Sequence, residues 1–156
     1  MLLPSKGYDI LNRRRISLMT KLPGTHWYIR NDSHTARDNK RIAVGVTHTL
    51  DNDLPLETCH NGYHASKKFT AALYYGYCHG SGRYRNAWYI YRVTLSRERD
   101  NDLDKSAARW RKYVAKAGPF SYEEMCILYY DEPCVKSRKL KHKIYSQLRK
   151  SGRKCK

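Results

Sequence analysis

Hydrophobic and polar positions alternate most regularly in residues 88–96, where successive side chains fall on opposite faces with the two-residue period of a β-strand. Two earlier segments, residues 26–30 and 42–49, are rich in aromatic and β-branched side chains and also predict strands. Residues 31–40 between them are polar and predict a turn. A last apolar segment, residues 125–130, is predicted as a buried strand.

Three segments carry helix signals. Ser66 is suited to cap a helix that runs to about Tyr77. Asp104 or Ser106 is suited to cap a second helix that runs to about Ala117. Together with the strands, these elements predict an α+β fold, with a small mixed or antiparallel sheet, two to three helices and basic N- and C-terminal extensions. The last predicted helix has three apolar residues spaced for one stripe: Leu140, Ile144 and Leu148.

Charge divides the chain into three parts. The 156 residues include 31 Lys and Arg against 14 Asp and Glu, a formal net charge of +17. The last 22 residues hold ten of these cations and no acidic residue, and residues 1–21 are basic around Arg13, Arg14 and Arg15. We therefore predict a basic N-terminal extension (1–21), an α+β domain (22–134) and a basic C-terminal arm (135–156).

A positive field of this size attracts polyanions, and each neutralised phosphate releases counterions. The expected partner is nucleic acid or a host machine that carries it. No membrane is expected, because no run approaches the roughly 18–20 apolar residues of a span. The five cysteines are an odd number and fit reduced thiols in the cytoplasm of a host cell. The oligomeric state stays open.

Cations recur on two predicted surfaces besides the arm. In a helix over residues 104–117 a basic stripe would lie opposite Trp110. Between Arg83 and Tyr89, cations alternate with aromatic rings, a mixture used on single strands and splayed RNA bases. Phosphate contact should dominate and give broad binding. The predicted nucleic-acid contacts are Arg13, Arg14, Arg15, Arg83, Arg85, Lys105, Arg109, Lys112, Lys116, Arg138, Lys139, Lys141 and Lys143.

The segment around Cys59 and His64 is the densest in functional residue types, and Cys78 and His79 follow it. These are zinc-ligand types, but there is no C-x-x-C pair and two of them are adjacent in sequence, which does not suit a closed tetrahedral site. We predict no metal. Two alternatives stay open for these four residues: a site that holds a metal ion, and a tight turn in which His64 is hydrogen-bonded.

The same segment resembles a family of small uncharacterised proteins of tailed phages. That resemblance covers residues 27–114 and implies a phage context without a mechanism. Its motifs are C-x-x-G-Y-H-A-S, A-A-L-x-Y, V-x-L and D-K-x-x-A-x-x-R. The matching residues are Cys59, Gly62, His64, Ala65, Ser66, Ala72, Leu73, Tyr75, Val93, Leu95, Asp104, Lys105 and Arg109.

Residues 62–66, Tyr75 and the acidic pair at 123–124 also resemble, more remotely, ADP-ribosyltransferase-like folds. This resemblance implies NAD as cofactor and a host target. It implies that His26 contacts NAD, that Ser66 organises the nicotinamide pocket and that Glu124 stabilises the oxocarbenium-like ribose. No E-x-E or Q-x-E motif accompanies these residues.

The favoured function is therefore a phage-type accessory protein, without enzymatic activity or cofactor, that binds nucleic acid or a nucleic-acid-bearing host complex. One alternative is the NAD-dependent transferase. The other is a non-enzymatic inhibitor that docks on an acidic host protein. The positions of His26, Ser66 and Glu124 discriminate: convergence in one cleft favours the enzyme, and separation favours binding.

Overall fold

A computed structural model describes residues 22–35, 37–78, 85–130 and 134–153. The predictions made for Arg13, Arg14, Arg15, His79 and Arg83 lie outside these described residues. In the described part of the chain, no helix is long and apolar enough to span a membrane.

Two antiparallel sheets form the centre of the fold. The strands are β1 (His26–Arg30), β2 (Thr47–Thr49), β3 (Tyr63–Ala65), β4 (Trp88–Leu95), β5 (Arg99–Asn101), β6 (Ser106–Ala108) and β7 (Trp110–Phe120). The larger sheet has the order β1-β4-β7-β2 and the smaller one the order β3-β6-β5. The helices are α1 (Phe69–Leu73), which continues as a π-helical turn (Tyr74–Cys78), α2 (Tyr122–Tyr130) and α3 (Val135–Arg153). The predicted α+β class is confirmed.

Residue Ser66 joins the two sheets instead of capping a helix. Its N–H donates to the Trp27 carbonyl oxygen at 3.0 Å, and the Trp27 N–H donates to the Ser66 carbonyl oxygen at 2.7 Å. The helix predicted from Ser66 is present as α1 and the turn that follows, but Lys68 takes its N-cap position without a side-chain capping bond. Strands 26–30 and 88–96 lie where predicted, whereas only Thr47–Thr49 of the segment 42–49 is a strand.

The predicted helix over residues 104–117 is wrong, because this segment forms β6 and β7. Buried side chains follow a two-residue period along β7, at Arg111, Tyr113, Ala115 and Ala117. β4 pairs with it from Ile90 opposite Ala117 to Leu95 opposite Arg111. Long-range pairing with a buried strand therefore overrides the local capping signals.

The predicted strand over residues 125–130 is also wrong, because it lies in α2. A capping box starts this helix: the Ser121 N–H donates to Glu124 Oε1 at 3.0 Å, and the Glu124 N–H donates to Ser121 Oγ at 3.1 Å. Met125 and Leu128 then fall three apart on one buried helical face.

Helix α3, which covers residues 135–153 of the predicted C-terminal arm, packs on the sheet. In α3, Ile144 is 1% exposed and Leu148 is fully buried, and Leu140 packs against the cluster that contains them, so the predicted apolar stripe lies in the main core, to which a terminal arm was expected to add little. The Lys116 N–H donates to Ser151 Oγ at 2.7 Å, and the Gly118 N–H donates to Gln147 Oε1 at 2.8 Å. Helix α3 is thus fixed to β7 by both apolar and polar contacts.

This packing predicts that Leu148→Ala lowers the free energy of unfolding by about 2–5 kcal/mol, since the substitution leaves a cavity between α3 and the sheet. Chemical denaturation measures it. Lys139→Ala, on the exposed side of the same helix, is the control and should change stability by no more than about 0.5 kcal/mol. Equal stability of the two variants would contradict the packing described.

Candidate functional site

A cleft opens where the two sheets separate beyond the Trp27–Ser66 bridge. From there β1 continues beside β4, while β3 pairs with β6. The cleft measures about 670 Å³ with the open solvent at its mouth included. Its lining consists of Trp27, Tyr28, Ile29, Arg30, Asn31, His64, Ala65, Ser66, Ala72, Tyr75, Gly76 and Lys105.

Gly76 sets the wall of the cleft formed by the π-helical turn. A Cβ at this position would lie 2.6 Å from the Ile29 carbonyl oxygen and 2.9 Å from the Ile29 Cβ. Only glycine therefore allows the turn to approach the edge of β1 this closely. The close approach places the neighbouring Tyr75 ring in the lining of the cleft.

The charged side chains in this lining are cationic. Arg30 and Lys105 are both half-buried, and no Asp or Glu is among the described lining residues. Lys105 Nζ lies 4.4 Å from the centroid of the Tyr75 ring. Arg30 Nε donates to the His34 carbonyl oxygen at 3.0 Å, which fixes the guanidinium at the end of β1. The cleft therefore favours an anionic ligand.

A third cation, Arg111, lies behind this lining and is only 3% exposed. It donates to the His64 carbonyl oxygen at 2.6 Å and to the Tyr113 hydroxyl at 2.8 and 3.0 Å. Its guanidinium carbon is 3.8 Å from the centroid of the Tyr28 ring. These contacts hold β3 and the Tyr28 ring in place and add positive charge beneath the cleft.

His64 lines the cleft in its neutral form. The Cys59 N–H donates to His64 Nε2 at 2.8 Å, which requires that this nitrogen be unprotonated. Burial, and then the positive charges of Lys105 and Arg111, lower the pKa of His64 to about 4. A hydrogen-bonded, half-buried His64 is the interpretation favoured from the sequence, but the residue lies in β3 and not in a turn.

The three residues of the transferase hypothesis do not converge. Ser66 lines the cleft, but His26 is 1% exposed and does not, and its Nδ1 lies 2.7 Å from Thr25 Oγ1. Burial, and then the charge of Arg99, lower the pKa of His26 to about 4. Glu124 caps α2 and lies 3.9 Å from Lys143 Nζ. No carboxylate of the described lining is therefore available to stabilise a developing positive charge on ribose.

The basic stripe predicted for residues 105–116 is dispersed by the β-structure. Lys105 reaches the cleft, and Arg109 pairs with Glu98 at 3.0 Å and also donates to main-chain oxygens at Asn52 and Leu54. Lys112 is exposed on β7, and Lys116 Nζ lies 4.3 Å from the centroid of the Tyr89 ring. The two-residue period places Lys112 and Lys116 on one face of β7, but Lys105 and Arg109 lie outside this strand, so the four cations do not form one stripe. Arg85 is exposed ahead of β4.

Helix α3 instead carries the continuous cationic surface. Five exposed cations lie along one side of this helix and form a stripe about 25 Å long, with spacings of three, four, seven and three residues. We call it the α3 stripe, and it consists of Lys136, Lys139, Lys143, Lys150 and Arg153. Arg138 is exposed beside this stripe, and Lys141 is half-buried near Trp27.

Few acidic groups neutralise this stripe. Lys143 lies 3.9 Å from Glu124, and no other cation of the α3 stripe forms a salt bridge with another described residue. The described residues also contain no group of three His, Cys, Asp or Glu side chains placed to hold a metal ion. His79, one of the four possible metal ligands, lies outside the described residues.

Sequence reasoning missed Arg30, Asn31 and Arg111 as residues around the cleft. Arg30 is the last residue of the predicted strand at 26–30, and Asn31 follows it. Polar residues directly after apolar ones at a strand end could have indicated a binding site there. Arg111 shares the two-residue period of Tyr113 and Ala115, and this alternation could have revealed a buried cation on a strand.

Comparison with known proteins identifies no family. No family model matches the chain, and neither a curated protein nor a solved structure matches it. The likenesses to phage proteins and to ADP-ribosyltransferase-like folds stay expectations from the sequence. The chemistry of the site is therefore inferred from its own contacts.

The lowered pKa values of His26 and His64 predict a loss of stability in acid. In the unfolded chain each imidazole takes up a proton near pH 6.5, whereas the folded state resists protonation to about pH 4. The free energy of unfolding should therefore fall as pH drops from about 6.5 to 4. Urea denaturation at several pH values measures this fall.

His64→Gln, which keeps an acceptor but does not titrate, should make that fall smaller. His142→Gln, at an exposed position on α3, is the control and should keep the wild-type dependence. If His64→Gln leaves the pH dependence unchanged, His64 is not the neutral buried group described.

Proposed function

We propose that this protein binds nucleic acid through phosphate contacts, with the α3 stripe as the main contact surface. The observation that supports it is the run of five exposed cations along one side of α3, of which only Lys143 has an acidic neighbour among the described residues. A phage accessory role, which the sequence resemblance implies, fits such an activity and is part of the same proposal.

The stripe is presented on a rigid support. The opposite side of α3 is anchored by Ile144 and Leu148 in the core and by Gln147 and Ser151 on β7. The cations therefore need not order a flexible segment when they meet phosphates, so binding does not bear that entropic cost. Each phosphate that they neutralise releases counterions and strengthens binding at low salt.

The composition of the stripe favours broad binding. Four of its five cations are Lys, whose ammonium group acts as a point charge on a flexible stem. Arg presents a rigid fork that suits bidentate contact with a base, and the stripe has one Arg, Arg153. Gln147 of the same helix faces β7 and is therefore not available to contact a base. Phosphate recognition therefore supports affinity more than sequence choice.

The other two hypotheses receive less support. The transferase needs a carboxylate beside the bound ribose, and Glu124 is engaged in capping α2 away from the described lining of the cleft. Docking on an acidic host protein would use the same cations. Phosphates differ from scattered carboxylates in that they repeat along a strand, as the cations repeat along α3.

The proposal predicts the effect of neutralising the stripe. Lys136→Gln, Lys139→Gln and Lys150→Gln combined should reduce the steepness of log K against log salt by about two to three units. The reason is that each lost phosphate contact removes about 0.9 on B-DNA and about 0.7 on a single strand. Fluorescence anisotropy with a labelled oligonucleotide at several salt concentrations measures the slope.

The matched control removes three exposed cations from the other end of the large sheet, by Arg41→Gln, Arg97→Gln and Lys112→Gln. Both variants lose the same net charge, so a general effect of charge would change both slopes equally. Equal slopes would contradict a specific role of α3. If the wild-type protein has no measurable affinity for the oligonucleotide, nucleic-acid binding is contradicted, and an acidic protein is the expected partner instead.

A further inference from the structure

We propose that the cleft between β1, β3 and the π-helical turn binds a single nucleotide, with its base against the aromatic lining and its phosphate at Arg30 and Lys105. This extends the proposed function by naming a second site. The site differs from the α3 stripe in that it is concave and combines flat rings with cations.

The phosphate is selected by charge. Arg30 and Lys105 both line the cleft and come from different elements, β1 and the residue before β6, and the proposed phosphate would lie between them. Arg111 adds buried positive charge behind Tyr28 and beneath His64. No acidic side chain is in the described lining, and the nearest acidic residues along the chain are Asp32, whose charge interacts with Arg30, and Asp104, which precedes Lys105. His64, neutral by its bond from Cys59, contributes no opposing charge either.

The base is selected by the rings. Tyr28 and Tyr75 are half-buried in the lining, and each ring has a cation close by, Arg111 at 3.8 Å and Lys105 at 4.4 Å from the ring centroids. Tyrosine rings of this kind accept a base by stacking, and they do so without choosing its sequence. Asn31 and Ser66 add polar groups to the same lining.

A nucleotide fits this combination better than a simple anion or an uncharged aromatic ligand. Inorganic phosphate would use the cations and leave the rings in water, and a nucleoside would use the rings and leave Arg30 and Lys105 unpaired. Without the open solvent at its mouth, the cleft holds about 200 Å³, less than the roughly 300–1,000 Å³ of pockets that enclose a whole ligand. A bound nucleotide would therefore fill the cleft and extend into its open mouth.

The test is isothermal titration of the full chain with AMP, adenosine and inorganic phosphate. AMP should bind with one site per chain, and adenosine and phosphate should each bind at least about tenfold more weakly. Tyr75→Leu should weaken AMP binding by about 5- to 150-fold, the range of base stacking on an aromatic ring, whereas Tyr75→Phe should retain it.

The cation is tested by charge rescue. Lys105→Gln should weaken AMP binding but leave adenosine binding unchanged, and Lys105→Arg should restore AMP binding. Lys112→Gln, on the exposed face of β7, is the control for net charge. Phosphate that binds as tightly as AMP, or AMP binding that is equal in Lys105→Gln and Lys112→Gln, would overturn the proposal. Absence of AMP binding by the wild-type chain would overturn it as well.

Two sources of the nucleotide are distinguished by competition. If a short oligonucleotide displaces AMP, the cleft takes one nucleotide of a strand, and if it does not, the cleft takes a free nucleotide. AMP binding by the triple variant of the α3 stripe tests the cleft separately from the proposed function. Loss of oligonucleotide affinity in that variant with AMP binding retained supports both sites. A wild-type chain that binds AMP but no oligonucleotide supports the cleft and contradicts the stripe.

Discussion

Beyond Tyr113, the outer edge of β7 presents main-chain N–H groups that no strand among the described residues pairs with. Buried N–H groups need acceptors, and an open edge invites unwanted pairing. Helix α3 meets both requirements, because Ser151 and Gln147 accept from Lys116 and Gly118. The position of α3, and with it the direction of its charged side, follows from this edge.

The positive charge of α3 destabilises the helix itself. Lys136, Lys139 and Lys143 follow one another at spacings of three and four residues, at which like charges repel and destabilise a helix. Glu124 is close to Lys143. Burial of Ile144 and Leu148 offsets this repulsion. A bound polyanion would relieve this repulsion, so the charge pattern that weakens the free helix would strengthen the proposed binding.

The predictable parts of the fold are those with a strong local period. Strands β1 and β4 and the apolar stripe of α3 were correct. Aromatic and β-branched residues mark the two strands, although β4 is buried on both faces, and the residue spacing in α3 shows its single buried face. Residues 104–117 were misassigned because the alternation in β7 is partly hidden by cations, and this strand depends on pairing with β4. Residues 125–130 were misassigned because a short apolar run fits a strand or a buried helix equally well.

The candidate site shows the same division. Ser66, Tyr75 and Lys105 belong to sequence motifs and were singled out, and they do meet at the cleft. Arg30 and Arg111 lie on β1 and β7, which are not neighbours in the large sheet, and their approach to Tyr28 depends on how the sheets separate. Glu124 follows the other two residues along the chain as the transferase hypothesis requires, but Ser121, three residues earlier, engages it in the capping box of α2.

The central claim is that one side of α3 is buried structure and the other is the phosphate-binding surface. Lysine acetylation read by mass spectrometry, with and without a saturating oligonucleotide, tests the phosphate-binding side in the intact protein. The account predicts that oligonucleotide protects Lys136, Lys139 and Lys150, whereas the exposed Lys67 and Lys112 stay as reactive as in the free protein. Equal protection of all five lysines, or reactivity of the α3 lysines that does not change, would contradict it.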